Sequence, residues 1–403
     1  MSAAPDILGS DSRPAFFPVA NPAELGLEAP EDRLGLSVRT WVRALAGMQK
    51  EALVINGATG RAWRLVSDEG PYLDGHDRAP CPLCSFITGM VSSYMNAINA
   101  GADARGLGIE DIELTLANHY TMEGSALKGT MLGGARTPEL GVRIAADADE
   151  SDLEDLVREA VEAAPINGLL GGIHNSLFNL SWNGDQISVG EVSSLDCDIH
   201  PDPRDAFDRV KIADIPVADD LMVKVKEGDQ VEGVPGGINS SLQESQSRSL
   251  HVQAVCRMRD DGVKEIRENL FRPIGSEFRF LSDEAPEAGG QGLAPDAASY
   301  LAAGLGFCFM TQLGRYARIT KKPLHEYRIS QDIHFSPGDA GAGAASALPV
   351  ETHVYLVMGE GEDEESARKT LDMSERTCFL HAACRTDLEV DVTVGRMEEA
   401  VGS

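Results

Sequence analysis

Strand-rich patterns of apolar and polar positions run through residues 37–66 and again through 250–281. Each stretch ends in Ser-Asp-Glu with glycine and proline soon after, which signals a turn. A long run of small and apolar residues follows at about 84–101 and about 297–319, and its spacing predicts a helix. Two alternating stretches come next. Acidic clusters then open a second helical pattern, at about 152–163 and about 365–377, as suits a helix N-terminus. A last strand closes each set, at 176–182 and 387–394. Strands and helices in blocks predict an α+β fold, with an antiparallel sheet, a long central helix and a second helix in each set.

The two sets read as copies of one unit. Shifted by 215 positions, residues 60–95 fall onto 275–310 without a gap, and 11 of these 36 positions are identical. Unrelated chains of ordinary composition would share about two or three. Further on, DADESDLEDLVREAVEAAPI lies over GEDEESARKTLDMSERTCFL with a one-residue slip. The expected organisation is an N-terminal arm (1–35), a first unit (36–183), a connector (184–247) and a second unit (248–403). Within the connector, DCDIHPDPRD is turn-rich and acidic, and GVPGGINSSLQESQS reads as a flexible loop. SPGDAGAGAASA, at 336–347, reads as a mobile Gly/Ala turn.

Composition narrows the function. A hydrophobic content of 42% is ordinary for a folded chain, but a net charge of −29 is not. So acidic a surface repels DNA, RNA and anionic lipid, which excludes nucleic-acid and membrane partners. No stretch has the ~18 apolar residues that span a bilayer. MSAAPDILGSDSRPAFFPV has acids and prolines where a signal peptide has a basic start and an apolar run, so a cytoplasmic location is expected. Seven cysteines, an odd number, do not form a secreted disulfide framework.

The two copies differ in their chemistry. Cys308, in the second long helix, matches Ser93 in the first. Cys378 matches Ala164, and His381, three residues on, matches Asn167. A lone cysteine on an apolar helix is most often a small buried hydrophobe, and Cys384 reads as packing. His381 fits a base, a proton donor or a residue settled on a helix end. Leu301, Leu305, Phe307, Phe309 and Met310 either line an apolar pocket or fill the core. The first copy has Cys81 and Cys84 as C-x-x-C, with Asp74 and His76 upstream, a zinc half-site, a redox pair or helix-start packing. Cys197 with His200 is a weaker motif. No phosphate-binding loop, dinucleotide fingerprint, G-x-S-x-G elbow or H-E-x-x-H appears, so no cofactor or metal is expected.

A cysteine on a long Ala/Gly-rich helix, about 70 residues before a second cysteine in a C-x-x-[HS] turn, resembles the OsmC/Ohr family. The resemblance covers both units. It implies an intertwined pair of α+β domains whose long helices pack at the centre, formed here within one chain as a pseudo-dimer. It also implies that Cys308 attacks an organic hydroperoxide and that Cys378 resolves it as a disulfide. In that family an arginine near the start of the domain, paired with a glutamate, lowers the thiol pKa. Arg279 and Arg64 occupy equivalent positions, as do Glu284 and Glu69. Arg257, Arg259 and Arg272 compete with the two arginines. The sequence departs from the family where Pro-Glu before the helix reads Pro295-Asp296, at a distance to Cys308 longer by two residues.

The expected function is therefore a thiol-dependent peroxidase acting on an organic hydroperoxide or another small apolar substrate. A dithiol or lipoyl-type reductant would regenerate it. Association of tandem chains into a larger homo-oligomer stays open. One alternative is a hydrolase or carbon–sulfur-cleaving enzyme that uses Cys308 with His381. The other is a non-catalytic ligand-binding protein with buried thiols.

Overall fold

The computed structural model describes residues 4–126, 128–228, 246–272, 275–338 and 343–397. In the first half of the chain, strands β1 (Leu36–Ala44), β2 (Lys50–Asn56) and β3 (Ala62–Ser67) precede helix α1 (Pro82–Arg105). Strands β4 (Ile109–Gly124) and β5 (Glu139–Ala146) follow, then α2 (Glu150–Ala163), α3 (Pro165–Leu170) and β6 (Leu177–Trp182). The second half repeats the series as β7 (Gln246–Met258), β8 (Lys264–Arg272), β9 (Glu277–Ser282), α4 (Ala297–Thr320), β10 (Leu324–Ser336) and β11 (Glu351–Met358). It ends with α5 (Glu364–Thr377), α6 (Phe379–Cys384) and β12 (Asp391–Arg396).

The two halves share their sheets. One sheet runs β3-β2-β1-β10-β11-β6, and the other runs β9-β8-β7-β4-β5-β12. Replacing every strand by its counterpart from the other half converts one order into the other. The central joints are long antiparallel pairs between halves, with Val42 opposite Ile329 and Val255 opposite Thr115. Each helix carries the chain from one sheet to the other. That crossing corrects the expected antiparallel sheets. The closing strand of each half arrives beside a strand of the other half and pairs in parallel, β6 with β11 and β12 with β5. Both sheets are therefore mixed.

The arm and the connector cover matching edges. Phe17–Pro18 of the arm pairs with β3, and Met222–Lys226 of the connector pairs with β9. At this edge the connector is the counterpart of the arm. Most of the expected connector loop, and residues 339–342 of the expected Gly/Ala turn, lie outside the described residues.

Capping residues fix the long helices. Pro82 sits in the first turn of α1, where its missing N–H costs nothing, and Gly106 ends it at φ +67°. Asp296 caps α4 by accepting from the Ser299 N–H at 2.9 Å. α4 packs on the first sheet and α1 on the second, and the two helices pack on each other. The contact is reciprocal and depends on missing side chains. A methyl on Gly89 would come within 2.6 Å of the Leu301 nitrogen, and one on Gly304 within 2.5 Å of the Phe86 nitrogen. Gly304 and Leu301 lie 215 positions after Gly89 and Phe86. One continuous apolar core runs through both halves, from Val38 to Leu388.

Candidate active site

α4 is small-residue-rich at its crossing with α1, but one face beyond the crossing is polar. Cys308, Thr311, Gln312 and Arg315 stand at i, i+3, i+4 and i+7, which puts them on one stripe. All four are buried and line a cleft with about 60 Å³ of free space. Its other walls come from both halves of the chain. Glu69, Tyr72, Leu73, Cys81, Pro82 and Leu83 belong to the first, while Arg248, Leu250, Leu270 and Phe379 belong to the second. Apolar walls ending in a few converging polar groups are the usual form of a small-molecule site.

The thiols of Cys308 and Cys378 meet at this cleft. Cys378 is the joint between α5 and α6, and its Sγ lies 3.5 Å from that of Cys308. Both thiols are free. Burial pushes the Cys308 thiol well up, and the neighbouring Cys378 thiol adds to this. The backbone N–H groups of Leu380 and Phe379, at the start of α6, pull it back down. At rest Cys308 is therefore a protonated thiol with two backbone donors placed to stabilise a thiolate.

A charged cluster surrounds the pair. Lys50, on β2, is fully buried and donates to the Met48 carbonyl at 2.5 Å. Burial lowers its pKa, against the opposing influence of Glu69, Asp68 and Cys308. The Glu69 carboxylate accepts from Tyr72 Oη at 2.8 Å and from Thr311 Oγ1 at 3.2 Å. Burial raises its pKa, and Lys50 and these two hydroxyls oppose the rise. Arg315 is brought down to about 9 by burial and by the charge of Arg248, and Glu69 pulls it back. Arg248 is brought down to about 10 by burial. Both guanidiniums stay charged at neutral pH and bring positive charge to the cleft.

These are not the cations and carboxylate expected from the sequence. Arg64 bonds Glu51 at 2.9 Å and Asp11 at 3.1 Å under the arm, and Arg279 bonds the Asp220 carbonyl at 3.1 Å. Neither lines the cleft. Strand alternation is the cause: Trp63 and Leu65, like Phe278 and Phe280, point into the core, so the arginines between them point away. Arg257 and Arg259 pair with Glu113 and Asp261, and with Arg272 they too are absent from the cleft. Of the two glutamates, Glu69 lines the cleft of Cys308. Glu284 accepts from Asn96 Nδ2 at 2.7 Å in a different cleft, because the chain crosses between sheets before each long helix.

His381 is also corrected. It is 1% exposed, stacks on Phe309 with ring centroids 5.0 Å apart, and meets Phe178 edge-on at 5.7 Å. Burial and the nearby Arg385 charge bring its pKa down to about 3. It is a neutral core ring outside the cleft, unsuited to serve Cys308 as a base. In the first half Tyr94 and Asn167 make the equivalent contact, a 2.7 Å hydrogen bond. Leu305, Phe307, Phe309 and Met310 are core as well, and Leu301 lines the other cleft.

That other cleft, of about 490 Å³, surrounds Ser93. Where the first has Cys308, Thr311, Gln312 and Arg315, it has Ser93, Asn96, Ala97 and Ala100. It lacks a cysteine and an arginine at these helix positions. Among the described residues, one group has metal-ligand spacing: Asp332, His334 and Glu351, with donor atoms within 4.8 Å of one another. Arg39 already holds Asp332 at 2.6 Å and Arg33 holds Glu351 at 2.8 Å, so its carboxylates are neutralised without an ion. Cys197 accepts from Asn179, and His200 stacks on His353. No helix among the described residues is long and apolar enough to cross a membrane.

Sequence reasoning missed Lys50, Arg248 and Arg315. A signal for Arg315 existed: it is a charge two turns after Cys308, on the same helix face. None marked Lys50, whose approach to Cys308 depends on how strands of one half meet the helix of the other.

Comparison with curated proteins gives no match. Among solved structures, an OsmC-like hydroperoxide resistance protein from Jannaschia sp. CCS1 is similar at 17% identity, over 33% of this chain and 83% of that one, with a TM-score of 0.19. Residues 289–393, which contain both Cys308 and Cys378, match the family model for OsmC-like protein.

Proposed function

We propose that this chain is a thiol-dependent peroxidase that reduces organic hydroperoxides, built from two copies of one unit that form a dimer-like pair within a single chain. The observation that carries the reading is the 3.5 Å separation of Cys378 from Cys308, which lines a cleft that also holds Arg315, Arg248 and Glu69. A disulfide needs about 2.05 Å between sulfurs, so closure asks for a shift of about 1.5 Å. The OsmC-like match over residues 289–393 and the reciprocal strand orders also support it.

In this reading the Cys308 thiolate attacks the terminal oxygen of the peroxide. The O–O bond breaks, the alcohol leaves with a proton, and Cys308 becomes a sulfenic acid. The Cys378 thiol then attacks that sulfur, water leaves, and the disulfide forms. An external dithiol, of lipoyl type, returns both thiols. Arg315 and Arg248 stabilise the thiolate and the departing oxygen, while the apolar walls receive the organic group. The test is hydroperoxide consumption by single variants. Cys308→Ser should abolish it, and Cys378→Ser should stop after one turnover with Cys308 overoxidised. Undiminished turnover by Cys308→Ser would end the proposal. With His381 held in the core, hydrolysis through a Cys308–His381 pair has no support.

A further inference from the structure

The peroxidatic reading leaves two thiols of the same cleft unused. Cys81 lines the cleft beside Cys308, and its Sγ lies 2.8 Å from that of Cys84, one helical turn on. Both are buried and free. Burial raises the pKa of the Tyr120 phenol, and the charges of Cys308, Cys81 and Cys378 each add to the rise.

The distribution of these thiols is lopsided. Cys81 and Cys84 come from the first half of the chain but sit at the cleft of the second. At the other cleft the corresponding positions are Asp296 and Ser299, which hydrogen-bond each other at 2.9 Å. There the counterparts of Cys308 and Cys378 are Ser93 and Ala164. Cys81 and Cys308 thus both line one cleft, each with a second thiol behind it, and all four positions are replaced at the other. Packing alone gives no reason for both pairs to be present or absent together.

Resting on the peroxidatic reading, we propose that Cys81 and Cys84 are a second dithiol that reduces the Cys308–Cys378 disulfide. Cys81, at the cleft, attacks one sulfur of that disulfide and forms a mixed disulfide. Cys84 attacks Cys81 and releases the pair. One S–S bond breaks and one forms, and the two protons of Cys81 and Cys84 end on Cys308 and Cys378. An external dithiol then reduces the Cys81–Cys84 disulfide. Burial raises both thiols; Glu268 opposes thiolate formation at both, and Glu69 does so at Cys81. Glu268, brought up to about 8 by burial, lies beside Cys84 and can take up or return its proton near neutral pH.

The experiment follows the disulfide through full-length protein. Reduced protein receives one equivalent of cumene hydroperoxide or, in parallel, of diamide, which oxidises thiols without peroxidatic chemistry. Samples quenched with acid and alkylated are peptide-mapped over time. The Cys308–Cys378 disulfide should appear first and give way to Cys81–Cys84. Cys84→Ser should accumulate a mixed disulfide between Cys81 and Cys308 or Cys378. With diamide, Cys81–Cys84 closure in Cys308→Ser should be at least about tenfold slower, because in the relay the exchange that oxidises this pair runs through the Cys308–Cys378 disulfide. A disulfide that stays on Cys308–Cys378, with Cys81 and Cys84 reduced under both oxidants, overturns the relay. Equally fast closure in Cys308→Ser also overturns it. If hydroperoxide leaves all four thiols reduced while diamide still produces the transfer, the peroxidatic reading fails and the relay stands.

Discussion

Gly304 of α4 lies directly against the backbone of Phe86 in α1, so close that a methyl group would stand 2.5 Å from the Phe86 nitrogen. Backbone cannot move aside as a flexible side chain can. Gly304→Ala should therefore cost about 1–3 kcal/mol, the range for overpacking a tight core. Gly89→Ala, at the reciprocal position, should cost a similar amount. Urea unfolding at neutral pH measures both. Because α4 also carries Cys308, the variants should lose activity along with stability.

The cation of the cleft provides the second test. Arg315 shares the helix face of Cys308, whereas Arg279 points away to the Asp220 carbonyl. Arg315→Met should lower the rate of Cys308 with hydroperoxide by about 10²-fold, the loss of one aligned charge donor. Arg279→Met, at a site remote from the thiol, should change it by no more than about twofold. The reverse order would restore the arginine expected from the sequence.

The buried Cys308 thiol sets the pH dependence. Burial and Cys378 hold its pKa above that of an ordinary thiol. Thiolate is then the minor form at neutral pH, and its fraction rises with pH. The second-order rate with hydroperoxide should climb by up to about tenfold per unit from pH 6 to 8. A flat profile over that interval would mean that the thiolate is already formed.

His381 should leave its mark on stability rather than on rate. Its folded pKa is brought down to about 3 from a usual 6.5. A lowered value means that its contribution is intact above about pH 6.5 and is lost as pH falls toward 3, since the unfolded chain takes up the proton first. Relative to His381→Leu, wild-type stability should drop by up to about 1.4 kcal/mol per pH unit below 6.5. Denaturant curves at pH 7 and pH 4.5 report the difference. An unchanged difference would show that the ring is already solvated.

The sequence carried the local pattern well and the assembly poorly. Helix α4 was expected at about 297–319 and runs Ala297–Thr320, because small apolar residues and the Asp296 cap mark it locally. The pairing of Cys308 with Cys378 was implied by resemblance, and the thiols do meet. Periodicity could not say which half a strand would join. For that reason the equivalent Glu284 and Glu69 could not be told apart, and the structure puts Glu69 of the first half at the cleft of Cys308. The same limit hid Lys50, and the parallel closing strands were invisible for the same cause. Arg64 and Arg279 were misplaced by a simpler error: one step along a strand turns a side chain to the opposite face.

The central claim is that Cys308 and Cys378 form the disulfide that follows peroxide attack. The direct measurement is peptide mapping of reduced protein quenched within the first turnover after one equivalent of cumene hydroperoxide. Expected is a loss of two hydrogens in a peptide pair joining Cys308 to Cys378 at the earliest quench. Hydroperoxide left unconsumed, with both cysteines unmodified, would contradict it.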